Sequence, residues 1–325
     1  MRHCRQALLA AACGVLVLSL PGRALAQGYP SKPVRMVVPY PPGGGSDTVS
    51  RPLAQRLSER LGQPVLIDNR GGASGNIGME VVARAPADGY TLVFALSAQL
   101  AVNPNLFEKL PYDPVADFAP IALVATGSVM IAVHPSLPVR SVADLIALAR
   151  ARPDTLTYGT SGNGSAPHLS GELFSTMAGI RMVHVPYKGG GAALSDTIAG
   201  HVQVVFSPLV TAAPHVKSGR LRALAVTTST RASGMPDLPT VEEAGVKGYE
   251  SSFLYGVLAP AGTGREVIDK VNAGILQVLK EPGYRGLLAN NGIEPGGSTP
   301  EELGAIIRAD IVKWARVIKL AKVKP

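Results

Sequence analysis

From residue 31 onward, short apolar runs alternate with longer stretches in which apolar side chains return every three or four positions. Val34, Met36, Val37 and Val38 predict a buried strand over 34–38, and Val49, Leu53, Leu57 and Leu61 predict a helix over 46–61. The same criteria predict strands at 65–67, 91–95, 121–126, 129–133, 156–159, 182–185, 203–206, 221–227 and 253–259. Helices are predicted at 79–84, 141–152, 166–178, 191–200, 211–218, 264–280, 282–290 and 299–320, with Pro282 and Pro300 near helix starts, where a missing N–H costs little. Pro236 and Pro239 mark an irregular segment after 228. Strand-helix-strand alternation predicts an α/β protein with parallel strands flanked by helices. The length suits two domains, yet no flexible linker separates them, so the chain is expected to cross between two lobes more than once.

The first residues have a different character. Arg2 and Arg5 precede an apolar run over 7–20, and Ala24-Leu25-Ala26 offers a small-x-small cleavage site before Gln27. This predicts a signal peptide over 1–26. The run is shorter than the ~20 residues that cross a bilayer. An acylated Cys13 is the alternative, but the apolar core before it is too short. Cys4 and Cys13 are the only cysteines, so the mature chain would have no disulfide or thiol chemistry. A chain of this length can bury a core without such staples. The formal charge of +8 falls to +5 when Arg2, Arg5 and Arg23 leave. The remaining basic residues are scattered, apart from a small cluster at Lys313, Arg316, Lys319, Lys322 and Lys324, and no basic stripe is interleaved with aromatics, so nucleic acid is not an expected partner. A mildly positive protein suits an anionic ligand.

Two segments echo each other. Residues 38–48 read VPYPPGGGSDT and residues 185–197 read VPYKGGGAALSDT. Each follows a predicted strand and opens a predicted helix. Glycines allow positive φ and close approach. A helix start offers unpaired N–H groups and partial positive charge. The combination makes an anion site from backbone alone, at the carboxyl end of a parallel strand, where open α/β sheets bind ligands. The first turn contributes Tyr40, Gly43, Gly44, Gly45, Ser46 and Asp47; the second contributes Tyr187, Gly189, Gly190, Gly191 and Ala192. Lys188 is either a steering charge or a solvated loop lysine. Neither turn ends in the Gly-Lys-Ser/Thr of a nucleotide loop. A third turn, YGTSGNGSAPH over 158–168, adds Thr160, Ser161, Gly162, Gly164 and Ser165, with Ser165 also a natural N-cap and His168 either a packing residue or a contact.

Enzyme chemistry is poorly supported. Gly159-Thr160-Ser161-Gly162-Asn163 fails the nucleophile-elbow pattern at its last position. The six histidines show no metal-ligand spacing, and Asp47 is better explained as a first-turn helix anion or a backbone anchor than as a catalytic acid. No metal or cofactor is expected.

The ordered set PYPPGGGSD, GNIG at 75–78, ADGYTL at 87–92, LPYDPVADFAPI at 110–121, YGTSGNGSAPHL at 158–169, VPYKGGG at 185–191 and LAPAG at 258–262 resembles the Bug family, the substrate-binding proteins of tripartite tricarboxylate transporters. The resemblance covers nearly all of the mature chain. It implies a two-lobed type II periplasmic-binding-protein (Venus flytrap) fold, each lobe a mainly parallel sheet flanked by helices. Lobe 1 would comprise 27–126 plus 228–325, and lobe 2 would comprise 127–227. It also implies a periplasmic protein that captures a small carboxylate and delivers it to membrane permease subunits; a monomer is expected, and a role as ligand-sensing partner of a two-component sensor is the alternative the sequence leaves open. The ligand would contact residues 40–47, 160–165 and 187–192. The sequence departs from the family pattern where relatives often carry an aspartate after a strand like 202–206, and this chain has Ser207-Pro208. An amino-acid ligand is thereby disfavoured. Leu254 stands where relatives often have tryptophan, and Ser97-Ala98-Gln99 replaces an asparagine- and glycine-rich segment. Ser97 and Ser207 both fall near the expected cleft.

Overall fold

The computed structural model describes residues 28–43, 45–321 and 323. The predicted signal peptide and Gly44 lie outside the described residues. In chain order the elements are β1 (Val34–Val38), α1 (Gly45–Leu61), β2 (Val65–Asn69), α2 (Asn76–Ala83), β3 (Thr91–Leu96), α3 (Asn103–Leu106), β4 (Phe118–Val133), α4 (Val142–Ala151), β5 (Thr157–Thr160), α5 (Ala166–Ala178) and β6 (Val183–Pro186). They continue with α6 (Gly190–Ile198), β7 (Val204–Pro208), α7 (Leu209–Lys217), β8 (Arg222–Val226), β9 (Ser252–Pro260), α8 (Arg265–Val278), α9 (Pro282–Asn290), β10 (Ile293–Pro295) and α10 (Pro300–Ala321). Among the described residues, no helix is long and apolar enough to cross a membrane.

The strands form a curled mixed sheet in the order β2-β1-β3-β9-β4-β7-β5-β6, with β8 and β10 added onto β4. The expectation of mainly parallel sheets needs amending. β1, β2 and β3 are parallel to one another, as are β5, β6 and β7. The strands between these two sets, β4 and β9, form antiparallel pairs with β3, β7, β8, β10 and each other. The parallel units come from helical crossovers, whereas the long strands that join the lobes must run back alongside their neighbours.

Burial follows the sequence periodicities. Val34, Met36 and Val38 of β1 face one side, where Val49, Leu53 and Leu57 of α1 cover them. Val37 faces the other side, against Met79 of α2 and Leu303 of α10. Each such side chain contributes roughly 1.5–3 kcal/mol when fully buried. The second half of β4 alternates in the same way. Val129, Ile131 and Val133 join a core with Leu145 of α4 and Phe174 of α5, while Met130 and Ala132 meet Leu194 of α6 and Ala212 of α7. A smaller cluster joins the lobes: Leu169 of α5 packs with Ala101, Val102, Trp314, Val317 and Ile318.

The separately predicted strands at 121–126 and 129–133 are one strand. The polar break at Gly127-Ser128 is the point where β4 leaves β9 and continues with β7 and β8. Gly127 is required by close approach: a Cβ there would come 2.1 Å from the Phe253 ring. The second chain passage lies beside it. Thr227, just past β8, accepts from the Val129 N–H through Oγ1 (3.0 Å) and donates from the same atom to Ser251 O (2.6 Å). Its backbone N–H bonds to Val129 O, and its carbonyl accepts from Ser251 N. One buried side chain therefore ties both passages together.

Thr227→Val keeps the shape but leaves a buried N–H without its acceptor. It should lower unfolding stability by about 1–3 kcal/mol. Urea denaturation measures this, and an unchanged midpoint would contradict the role given to Thr227.

Candidate functional site

A cleft of about 1010 Å³ lies between the lobes, walled by residues from both. Four helix beginnings reach it: Gly45 and Ser46 of α1, Ser165 to Pro167 at α5, Gly189 before α6, and Pro208 to Val210 at α7. Each helix brings unpaired amides and partial positive charge to its first turn. Lys188 is the one charged side chain among the described lining residues, and no carboxylate is among them. The rest of the lining is largely apolar and includes Leu96, Val102, Leu169, Val210, Phe253, Ile293 and Trp314.

The two echoing turns meet here. Tyr40, Gly43, Gly45 and Ser46 line one wall, and Lys188 and Gly189 line another. Gly43 has φ +85° and Gly189 has φ +121°, values that favour glycine. Asp47 does not reach the cleft surface; it holds the first turn from behind. Its carboxylate accepts from the Gly43 N–H (2.7 Å), Asn69 Nδ2 (2.9 Å) and Arg51 Nε (3.0 Å). Burial pushes this carboxyl up, but those hydrogen bonds and the Arg51 charge outweigh it and hold it below the usual aspartate range.

Ser97, Ser161, Gly164 and Ser165 also line the cleft. Ser97 Oγ accepts from Leu254 N (2.8 Å), which fixes β3 to β9. Tyr40 OH accepts from Gln99 Nε2 (2.9 Å), and that buried amide also donates to Ser74 O (2.8 Å). Other candidates are placed elsewhere. Tyr187 turns its hydroxyl to Asp196 (2.7 Å), and burial with that partner pushes it up to about 12. Gly190, Gly191 and Ala192 continue into α6 without lining the cleft, and Gly162 also stays out of the lining, its carbonyl accepting from Ser165 Oγ (2.7 Å) and its N–H donating to Thr160 Oγ1 (3.3 Å). Ser207 is buried and bonds Thr211 Oγ1 (2.9 Å), while its neighbour Pro208 lines the cleft.

Thr160 and His168 form the floor beneath the 161–165 loop. His168 Nδ1 accepts the Gly164 N–H (3.1 Å), so its proton sits on Nε2, 3.6 Å from Glu172. The His168 ring stacks on His184 with centroids 3.8 Å apart, and His184 Nε2 bonds Thr160 Oγ1 (2.7 Å). Tyr158 donates to Glu172 and stacks on His184. Burial, reinforced by His168, pushes His184 down to about 4. His168 is thus a support, one of the two roles open to it from sequence.

Sequence reasoning missed the apolar wall, the hydroxyls of Ser128, Thr211 and Ser252, and the Asn291–Ile293 segment. It placed Ser207 near the cleft but not the start of α7 that follows, which carries no glycine signature.

A family model described as the tripartite tricarboxylate transporter family receptor matches residues 49–323. The chain belongs to this family. Among solved structures, R. palustris Rpa4515 with adipate is 41% identical, with a TM-score of 0.80, covering 91% of this chain and 99% of that one. MatC from Rhodopseudomonas palustris with bound malate is 30% identical, with a TM-score of 0.75, covering 89% and 100%. Protein BugT of Bordetella pertussis is 36% identical over 90% of each chain. As a member of this receptor family, the protein joins four helix beginnings, one lysine and an apolar wall in a single cleft.

The half-buried His184 gives a pH dependence with a definite sign. A ring held neutral in the fold, with its pKa lowered from 6.5 to about 4, supports stability fully above 6.5. That support is lost as pH falls from there toward 4, because the unfolded chain takes up the proton first. His184→Gln should lose less melting temperature between pH 7 and pH 4.5 than the parent, by a few degrees. Identical losses in thermal melts would contradict this.

Proposed function

We propose that this protein is an exported periplasmic receptor that captures a small carboxylate other than an amino acid, releases it unchanged, and hands it to the membrane subunits of a tripartite transporter. The observation that carries this is the cleft itself, where four helix beginnings and Lys188 meet with no opposing carboxylate among the described lining residues. Such a site favours a negative group and offers an ammonium no carboxylate partner. Family membership and the carboxylates named with two relatives support the same reading.

The carboxylate docks on the turn of Gly43, Gly45 and Ser46, which Asp47 holds from behind, with Ser161 and the Lys188-Gly189 turn facing it from the other wall. The lobes, 27–126 with 228–325 and 127–227, close by rotating about the chain passages near 126 and 228. A ligand that touches both lobes favours the closed population by its differential affinity. Backbone amides fixed by the fold suit this task because they need no ordering on binding. A hydrolase reading is not favoured: no histidine is among the described lining residues, and His168 and His184 are engaged with Gly164 and Thr160.

Thermal melting with a panel of organic acids tests the reading. Adipate or a related acid at a hundred times its Kd should stabilise by about 2.7 kcal/mol. Glutamate and aspartate should give no shift. Tight binding of either amino acid, or a flat response to every carboxylate, would overturn the assignment. Lys188→Ala should slow association and flatten its salt dependence, measured by stopped flow.

A further inference from the structure

The 161–165 loop enters the cleft through Ser161, Gly164 and Ser165, yet two of its amides are held from beneath by side chains outside the lining. The Gly164 N–H donates to His168 Nδ1 (3.1 Å). The Gly162 N–H donates to Thr160 Oγ1 (3.3 Å), which lies 2.7 Å from His184 Nε2. The two imidazoles stack with centroids 3.8 Å apart and planes within 9° of parallel. Gly162 has φ +123° and Gly164 has φ +68°. Glycine visits these values and others with similar ease, so the hold on the two amides selects this loop shape. The neighbouring turn is tied to the same point, because the Tyr187 N–H donates to Thr160 O (3.2 Å).

A proton arriving on this pair rewrites the hydrogen bonds. His168 already carries a proton on Nε2, so a further one goes to Nδ1 and turns the acceptor of the Gly164 N–H into a donor facing a donor. Glu172 lies 3.6 Å from His168 Nε2 and compensates the charge that results. Burial pushes the Glu172 carboxyl up, but hydrogen bonds from His168 and Tyr158 outweigh it and hold it below the usual range, so it is ionised when the proton arrives. The other titratable groups around the pair are engaged. Tyr158 of β5 donates to Glu172, and burial pushes its own hydroxyl far up, which keeps it neutral. Tyr187, which follows β6, bonds Asp196 of α6. Lys313 of α10, the helix packed against α5 at Leu169, is paired with Glu250. Histidine is the side chain whose charge ordinarily changes between pH 5 and 8.

We propose that His168 and His184 are positioning residues for carboxylate capture, and that uptake of a proton by the stacked pair frees the 161–165 loop and lowers the affinity of the cleft. Capture is then strongest where both rings are neutral and weakens as pH falls. This rests on the carboxylate reading above and deepens it by giving the same site a regulation.

Calorimetry on the mature protein at pH 7.5 and pH 5.5 tests the proposal, with adipate as the probe, or malate should adipate not bind. Each acid gains protons of its own at low pH, so every variant is compared with the parent at the same pH. His168→Asn places an amide oxygen near the position of Nδ1 and does not titrate. It should bind within about threefold of the parent at pH 7.5 and about five- to tenfold tighter than the parent at pH 5.5, the worth of one hydrogen bond. His168→Phe keeps a ring on His184 and removes the acceptor; it should bind about five- to tenfold more weakly at pH 7.5. Should His168→Phe melt below the assay temperature, a measurement without ligand replaces it. In nitrogen-15 spectra of the parent, the Gly164 amide should shift with the same midpoint as the His168 ring, and in His168→Asn it should stay fixed. Equal losses of affinity on acidification in the parent and His168→Asn, or a Gly164 amide that ignores the titration of the ring, overturn the positioning role while leaving carboxylate capture intact. If no acid of the panel binds the parent, the functional assignment fails and this inference fails with it.

Discussion

A helix that follows a parallel strand begins at the strand's carboxyl end, and its first amides have no partner within the helix. Here that rule operates on both sides of one cleft. α1 opens after β1, α5 after β5, α6 after β6 and α7 after β7, and all four openings face the same space. The positive character of the cleft therefore belongs mostly to the main chain. What the side chains add is placement. Asp47 clamps the Gly43 amide from behind, and His168 receives the Gly164 amide from below. Both hold backbone in position without touching the cleft surface.

The apolar lining gives the cleft its second property. Among the described residues a single lysine faces walls of leucine, valine, phenylalanine and tryptophan. Fixed dipoles in surroundings of low polarity act more strongly than the same groups in water. A cleft of this kind draws its polarity from fixed main-chain dipoles, with little contribution from individual charged pairs.

Most strands and helices were legible in the sequence because burial imposes its period directly. Val49, Leu53 and Leu57 mark α1, and the alternation over 129–133 marks the second half of β4. The glycine turns were legible too, since a local motif encodes a local conformation. Three features were not. β4 was divided in two, because Gly127-Ser128 looks like a break when it is in fact a crossing packed under Phe253. The wide turn over Ala98–Val102 and the short strand β10 carry no periodic signal. The cleft wall was the largest omission. Ser128, Phe253, Ile293 and Trp314 come from four segments distant in sequence, and only the fold brings them together. Tyr187 shows the converse: its place in an echoing motif suggested a contact, yet its hydroxyl serves Asp196.

The contact between Gly127 and Phe253 ties the cleft wall to the strand beneath it. Phe253 lines the cleft, and a Cβ at position 127 would come 2.1 Å from its ring. A residue larger than glycine there would have to displace the ring. The outline of the space a guest meets is therefore governed in part by a backbone position that does not itself line it.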